Sequence, residues 1–179
     1  MTKISKLQVR VKAAPALEIP TDLSPKAVAQ IGEALNGLLA DTYALYFKTK
    51  NFHWHVSGPH FYSYHLLFDE QAKQLFETTD ELAERVRKLG GGTLKSMGHS
   101  TRLQRIKDND DDYVSPADML RELMGDNKSM MTSLREAHRI AESSGDIGTA
   151  SMLEIFIDGA EKRSWFLFEA SRDADQTGH

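Results

Sequence analysis

The sequence predicts an all-α protein built as one bundle of four long helices. Apolar residues recur at three- and four-residue spacing over four long segments, and pairs of Ser, Pro and Gly mark their ends. Convincing β alternation is absent. The 179 residues are enough for one domain with a substantial core and too few for two ordinary ones. We therefore expect an arm over residues 1–23, the bundle over residues 24–172 and a short tail over residues 173–179.

The first two helices form a predicted hairpin. Ser24-Pro25 supplies an N-cap followed by proline at the first helical position, and the apolar spacing runs to about Trp54. The pair Gly58-Pro59 ends this helix. A second helix is predicted to begin near Phe61 and to stop at the glycines of residues 90–92, which supply a C-cap.

The last two helices follow the same rules. Ser115-Pro116 repeats the opening, and Asp118 three residues after the serine resembles a capping box with Asp in place of Glu. The third helix is predicted to run to about Glu142, where residues 143–145 break it. The fourth is predicted over residues 147–171.

A polar connection over residues 93–114 separates the second and third helices, with a short helix predicted over residues 100–106. A connection of this length can cross from one end of a bundle to the other. Four long helices with one long crossover in that position are the topology of ferritin-like folds.

Composition excludes several classes of protein. The chain is 40% hydrophobic and 27% charged, which is ordinary for a folded globular protein. No apolar run approaches a membrane span or a secretory signal, so we expect a cytoplasmic protein. The chain has no cysteine, so any bound metal must use His, Asp, Glu or backbone oxygen.

The second helix carries two pairs of metal-ligand residue types, His65 with Asp69 and Asp80 with Glu84. Spacings of four, eleven and four place all of them on one stripe of the helix. The pairs stand roughly 16 Å apart along the axis, too far for one ion. Either each pair is an ordinary solvated pair, or another chain completes the site. Two copies packed antiparallel about a two-fold axis near residue 75 would bring the pairs together in two identical sites.

The other common way to hold iron in a bundle, with Glu-x-x-His motifs on two helices, is excluded because the chain contains no such motif. His, Asp and Glu without sulfur suit iron, and zinc or manganese are substitutes that the same donors accept.

The segment around these pairs resembles the signature of the Dps family, the DNA-binding proteins from starved cells. The residues that carry the resemblance are Asn51-Phe52-His53-Trp54, Gly58-Pro59-His60-Phe61, Tyr64 to Asp69, Asp80 to Arg85, Leu89-Gly90-Gly91 and, less densely, Ser164 to Leu167. The resemblance implies a hollow shell of twelve subunits. Such a shell would oxidise Fe(II), preferably with hydrogen peroxide, store the ferric mineral and protect DNA from oxidative damage.

The resemblance also implies which residues bind iron. The matching positions are His53, His65, Asp69, Asp80 and Glu84. The first three would come from one subunit and the last two from its two-fold mate. Trp54 matches the family's tryptophan beside the site, where it would intercept oxidising equivalents; the alternative interpretation is a core aromatic at a helix end.

Several further residues have weaker signals. His55 and His60 lie near the predicted site and are candidates for auxiliary contacts with the metal, whereas His99, His138 and His179 are interpreted as structural or surface residues. Asp146 lies in a segment that resembles the family's acidic three-fold pore, where it would attract ions. Ser151 stands where many relatives have an acid.

The first twelve residues are basic. They contain Lys3, Lys6, Arg10 and Lys12 and no acidic residue. The rest of the chain therefore has 18 basic and 26 acidic residues, a formal charge of −8. Many such arms on one shell would bind DNA without regard to sequence. The alternatives are a solubilising tail or one that docks on its own shell. The basic arm keeps open a rival function, a nucleoid-binding structural protein whose metal site is secondary. A third hypothesis, a metal-free helical assembly, is disfavoured by the five matched ligands.

Overall fold

The computed structural model describes residues 17–172, and within that range five helices account for the regular structure. The helices are α1 (Pro25–His55), α2 (Phe61–Lys88), α3 (Met97–Leu103), α4 (Pro116–Ser143) and α5 (Ile147–Ala170). The four long helices agree with the predicted bundle, and the crossover between α2 and α4 carries α3. The all-α class and the long crossover are therefore confirmed.

Side-chain caps begin the helices where the sequence predicted them. Ser24 accepts a hydrogen bond from the Ala27 amide at 3.2 Å, and Ser115 accepts one from the Asp118 amide at 3.2 Å. Asp118 does not return to the Ser115 amide as a full capping box requires, because its carboxylate accepts from the Ser115 hydroxyl instead. The serine caps thus satisfy amides that the first turn would otherwise leave without partners.

The short helix of the crossover lies three residues earlier than predicted, over Met97–Leu103 rather than residues 100–106. Ser96 caps its start by accepting from the His99 amide at 3.1 Å. Its end is set by Asp41 of α1, whose Oδ1 accepts from the amides of Arg105 and Ile106. These amides cannot also continue the helical ladder, so the helix ends before them.

The core lies between the α1–α2 and α4–α5 hairpins. Its fully buried members include Leu35, Leu39, Leu45, Phe52 and Phe68, with leucines and methionines of α4 completing it. Such residues supply most of the hydrophobic stabilisation of a bundle. None of the helices in the described range has an apolar stretch sufficient to cross a membrane.

Polar groups also cross the core. The Lys48 ammonium of α1 contacts Glu122 at 2.8 Å and Asp126 at 2.7 Å, both on α4. Burial raises the pKa of Asp126, and the neighbouring Lys48 opposes that shift. These contacts connect the two hairpins through charge as well as through apolar packing.

The glycines after α2 end the helix as predicted. Gly90 adopts φ +81°, a conformation that favours glycine, and the Gly91 amide donates to the Val86 carbonyl at 3.0 Å. The described end of the predicted arm lies against this turn. The Leu17 carbonyl accepts from Arg87 at 3.0 Å, and a Cβ on Gly90 would approach the Ile19 carbonyl at 3.3 Å.

Candidate metal centre

Two histidines meet where α1 ends and α2 begins. His53 lies in the last turn of α1 and His65 in the second turn of α2, and their rings stack with centroids 3.8 Å apart. Each Nδ1 lies 2.8 Å from the backbone carbonyl of the other histidine. A carbonyl oxygen can only accept, so each neutral ring carries its proton on Nδ1 and keeps a lone pair on Nε2. Both rings are thus oriented to bind a metal through Nε2.

Asp69 brings a carboxylate to the same place, one turn after His65 on α2. Its Oδ1 lies 3.9 Å from the His53 Nε2 atom. Two imidazole nitrogens and one carboxylate oxygen form a donor set that Fe(II) accepts, as do Zn(II) and Mn(II). The structure therefore places His53 beside both His65 and Asp69, but the three residues do not form a group able to hold a metal ion within the described chain.

Two lysines hold the Asp69 carboxylate. Lys50 of α1 contacts Oδ1 at 2.8 Å, and Lys73, one turn further along α2, contacts Oδ2 at 2.7 Å. Hydrogen bonds from these two ammonium groups hold the pKa of Asp69 far below its usual range. The carboxylate is therefore ionised throughout the physiological pH range, and an arriving cation competes with ammonium groups rather than with a proton.

Asp80 and Glu84 lie elsewhere on α2 and are exposed. Within the described residues Glu84 pairs only with Lys88, at 3.2 Å. Eleven residues of helix separate Asp80 from Asp69, a rise of roughly 16 Å. The described part of a single chain brings no three His, Asp or Glu residues into a group able to hold a metal ion. One subunit alone thus offers two half-sites at opposite ends of one stripe.

Exposed apolar residues share the stripe that joins the half-sites. Leu66 is 48% exposed and Phe76 is 53% exposed, and they lie at the helical spacing of Asp69 and Asp80. Phe47 and Trp54 on α1 are also exposed, by 59% and 55%. Phe76 thus lies between the two pairs of α2, and Leu66 lies within the first pair. Large exposed apolar side chains next to carboxylates are typical of a surface that another protein covers.

Trp54 is not part of the core of the subunit. Its ring meets Phe47 edge-on at a centroid distance of 6.2 Å, and the Lys50 ammonium lies 5.8 Å from the ring centroid. The same lysine contacts Asp69, so only one side chain separates the tryptophan from the site. Its predicted role as an acceptor of oxidising equivalents stays a prediction.

The other histidines take different surroundings. His55 donates through Nδ1 to the Asn51 carbonyl at 2.8 Å and is exposed, as is His60, so their auxiliary metal contacts stay predictions. His138 lies between Glu142 at 3.3 Å and Glu154 at 3.2 Å on the α4–α5 surface. His99 is half-buried near the start of α3, whereas His179 lies outside the described residues.

Asp146, the predicted pore residue, is 4% exposed in the subunit. It caps α5 by accepting from the Thr149 amide at 3.0 Å, and its carboxylate is paired with Arg85. Its charge is therefore compensated within the chain, and its pore role stays a prediction that these contacts do not support. The arm residues Lys3, Lys6, Arg10 and Lys12 lie outside the described residues.

The sequence-based prediction missed the two lysines beside Asp69. Lys73 stands four residues after Asp69 on the same helix, a spacing that indicates an ion pair. Lys50 is separated from Asp69 by 19 residues and reaches it only because α1 packs against α2. A pattern along one helix cannot reveal that contact.

Comparisons with known proteins agree with the fold. Residues 32–175 match the family model described as Ferritin-like domain. The chain is 38% identical over 134 residues to an uncharacterized low temperature-induced protein of Nostoc, covering 74% of this chain and 75% of that one. It is 34% identical to the DNA protection during starvation protein of Brevibacillus brevis, covering 74% and 89%. The solved structure of DpsC from Streptomyces coelicolor superposes with a TM-score of 0.87 at 27% identity, covering 95% and 98%. The chain belongs to the Dps family of ferritin-like proteins.

Proposed function

We propose that the protein is a ferroxidase that oxidises Fe(II) at sites shared between two copies of the chain and stores the ferric product. The observation that carries the proposal is the pair of stacked histidines whose Nδ1 atoms donate to carbonyls, which leaves both Nε2 lone pairs available and places that of His53 3.9 Å from an ionised Asp69. Three donors are too few for a di-iron centre. The carboxylates of Asp80 and Glu84 supply the remaining ligands from a second copy.

The second copy is placed by the symmetry of the α2 stripe. When two copies pack antiparallel about a two-fold axis midway between Asp69 and Asp80, the His65–Asp69 pair of each copy faces the Asp80–Glu84 pair of the other. The same packing covers Leu66 and Phe76, which are exposed in one subunit. Hydrophobic burial therefore stabilises the arrangement that completes the site, and the protein is a homo-oligomer, with the twelve-subunit shell as its assembled form.

The chemistry follows from the donor set. Carboxylates stabilise Fe(III) relative to Fe(II) because they add negative charge next to the metal, and the imidazoles complete the coordination. Two Fe(II) ions each give one electron to one hydrogen peroxide molecule, whose O–O bond breaks to give two hydroxide ions. Holding both ions at one centre allows this two-electron reduction without releasing a hydroxyl radical. Trp54 is the nearby group suited to intercept an oxidising equivalent that escapes.

Removal of the second half-site tests the assignment. Asp80 and Glu84 are exposed in the subunit, so Asp80→Ala with Glu84→Ala leaves the bundle folded and abolishes fast oxidation of Fe(II) by peroxide. The matched control is Glu77→Ala with Glu81→Ala, which removes two exposed carboxylates of the same helix that are not among the proposed ligands. Stopped-flow absorbance of ferric species measures the rate. If the Asp80 and Glu84 variant oxidises Fe(II) at the same rate as the control, the site assignment is wrong.

A second candidate function, DNA binding, is favoured by the four cations of residues 1–12 and the acidic remainder of the chain. Multivalent display on a shell would convert weak phosphate contacts into binding that ignores sequence and falls steeply with salt. Gel shifts with duplex DNA at low salt compare the intact protein with an assembled form lacking residues 1–12. Equal shifts by both forms exclude the arm as the contact, and no shift by either leaves iron storage as the function.

A further inference from the structure

A buried cation lies between α4 and α5, at Arg163. The residue is only 6% exposed, and its Nε donates to Asn127 Oδ1 on α4 at 3.0 Å. Its backbone carbonyl accepts from Gln71 of α2 at 3.1 Å. Three helices therefore fix the position of this side chain.

Arg163 has no counter-charge among the described residues. No Asp or Glu oxygen in residues 17–172 lies within 4.0 Å of the guanidinium, by contrast with the other buried cation, Lys48, which has two carboxylates. The nearby acid Glu161 is paired with Arg135. Burial lowers the pKa of Arg163 to about 10, so the group remains charged at neutral pH. A largely buried charge is poorly solvated, so the guanidinium would gain from an anionic partner supplied from outside the described residues.

The outer half of the guanidinium is free to meet that partner. Asn127 engages Nε, and the two η-nitrogens have no hydrogen-bond partner among the described residues. No fully buried side-chain nitrogen or oxygen in that range lacks a partner, so both η-nitrogens reach the surface. Gly159, one turn earlier on α5, lies beside this edge of the guanidinium, and a Cβ there would meet Nη1 at 3.5 Å, an ordinary contact distance.

The surroundings orient the group for binding. The amide of Asn127 donates to the Leu123 carbonyl at 2.8 Å, which fixes its oxygen toward Arg163 Nε. The guanidinium plane is therefore held by one edge, with the opposite edge outward. Two parallel N–H groups on a held plane match the two oxygens of a carboxylate or phosphate.

We propose that Arg163 forms an oxyanion-binding site at the α4–α5 surface, where its two η-nitrogens hold a carboxylate or phosphate group through paired hydrogen bonds. The oxyanion has two sources, inorganic phosphate from solution or a carboxylate of a second copy of the chain. The site is separate from the proposed ferroxidase centre in its ligands and does not depend on iron.

Arg163→Gln tests the site with little change to the core. The glutamine amide nitrogen falls close to the place of the arginine Nε, so it can still donate to Asn127 while the η-nitrogens and the charge are removed. The control is Arg135→Gln, which removes an arginine from the neighbouring α4 surface. Equilibrium dialysis of iron-free, assembled protein against radiolabelled inorganic phosphate measures occupancy, and sedimentation velocity measures assembly.

If the oxyanion is free phosphate, wild type and the Arg135→Gln variant bind one saturable phosphate per subunit and Arg163→Gln binds none. If it is a carboxylate of a second copy, phosphate is not taken up, and Arg163→Gln dissociates at lower salt than the control. Equal phosphate uptake and equal assembly in both variants would overturn the proposal. If Arg163→Gln loses the helical circular dichroism signal, Arg163→Lys is tested in place of that variant. That variant keeps the charge but lacks the paired donors, so unchanged binding and assembly would also overturn the proposal.

Discussion

Asp69 is the residue at which structure and proposed chemistry meet. The carboxylate lies between His53 and two lysines. It is ionised, but each of its oxygens already contacts an ammonium group. Lys50 is 18% exposed at its side chain, whereas Lys73 is 71% exposed. The more buried ammonium has less room to move into water and is therefore the stronger competitor with a metal.

Lys50→Gln is expected to raise the affinity of the site for a redox-inert divalent ion. A partly exposed ion pair is worth up to about 1 kcal/mol, so the gain is about two- to fivefold. Isothermal titration of the assembled protein with Zn²⁺ measures it. Lys73→Gln is the matched control and gives a smaller gain because that ammonium can leave at little cost. A loss of affinity in Lys50→Gln would show that the lysine orients the carboxylate rather than competing for it.

At the scale of residues, the sequence predicted which residues are candidate ligands but not which contacts they make. The spacing of four predicted that His65 and Asp69 lie one turn apart on α2, and the resemblance added His53; their binding of iron stays a prediction. The exchange of carbonyl hydrogen bonds between the two histidines depends on how α1 and α2 pack. That packing is not encoded in the pattern of either helix, so neither the stacked rings nor the Lys50 contact could be predicted.

At the level of elements, the helix ends were the most predictable features. Ser24, Ser115 and Gly90 act locally, through caps and a glycine conformation that sequence patterns reveal. The predicted position of α3 was wrong by three residues. Asp41, more than fifty residues away, accepts hydrogen bonds from the amides that would have continued this helix. Local propensity does not report such a tertiary contact.

Asp41→Ala is expected to destabilise the crossover. The carboxylate is 1% exposed and accepts from two backbone amides as well as from the Arg105 side chain. Amides left without an acceptor cost about 2–3 kcal/mol together. Urea unfolding at fixed protein concentration measures the loss, and hydrogen exchange shows whether it is concentrated in residues 97–107. Asp41→Asn keeps one acceptor and loses less; equal stability of Asp41→Ala and wild type would contradict the assigned role.

The buried charges of α1 and α4 make a prediction about pH. Burial already raises the pKa of Asp126, and removal of its partner in Lys48→Met raises it further. An acid whose folded pKa exceeds its unfolded value of about 3.9 destabilises the fold at high pH, and this cost decreases as pH falls below the folded pKa and is gone below the unfolded one. Lys48→Met therefore loses about 3 kcal/mol at pH 7 and clearly less at pH 5.

Denaturant unfolding of Lys48→Met and of Lys48→Met with Asp126→Asn at both pH values checks this assignment. The double variant has no buried charge at position 126, so its stability relative to wild type changes less with pH. A deficit in Lys48→Met that is the same at pH 5 and pH 7 would mean that Asp126 does not hold the uncompensated charge.

At the scale of the whole molecule, the α1–α2 face differs in character from the core beneath it. The α1–α2 face carries exposed aromatic and apolar side chains around incomplete sets of ligands, whereas the described core is closed and satisfied. Sequence reasoning predicted the incompleteness from a single number, the rise of a helix over eleven residues. It could not show that Leu66 and Phe76 are exposed along this stripe, since apolar residues at that spacing are equally typical of a core face.

The central claim, that one site spans two chains, is tested most directly by mixing two inactive variants. One carries His65→Ala with Asp69→Ala and the other Asp80→Ala with Glu84→Ala. Each alone assembles but has no complete site. The two variants are co-assembled in equal amounts, and native mass spectrometry verifies the mixing. About half of the two-fold pairs are then mixed, and each mixed pair retains one intact site of its two. Peroxide-driven Fe(II) oxidation therefore returns to about a quarter of the wild-type rate. Mixed shells that remain as inactive as either parent would contradict the shared site.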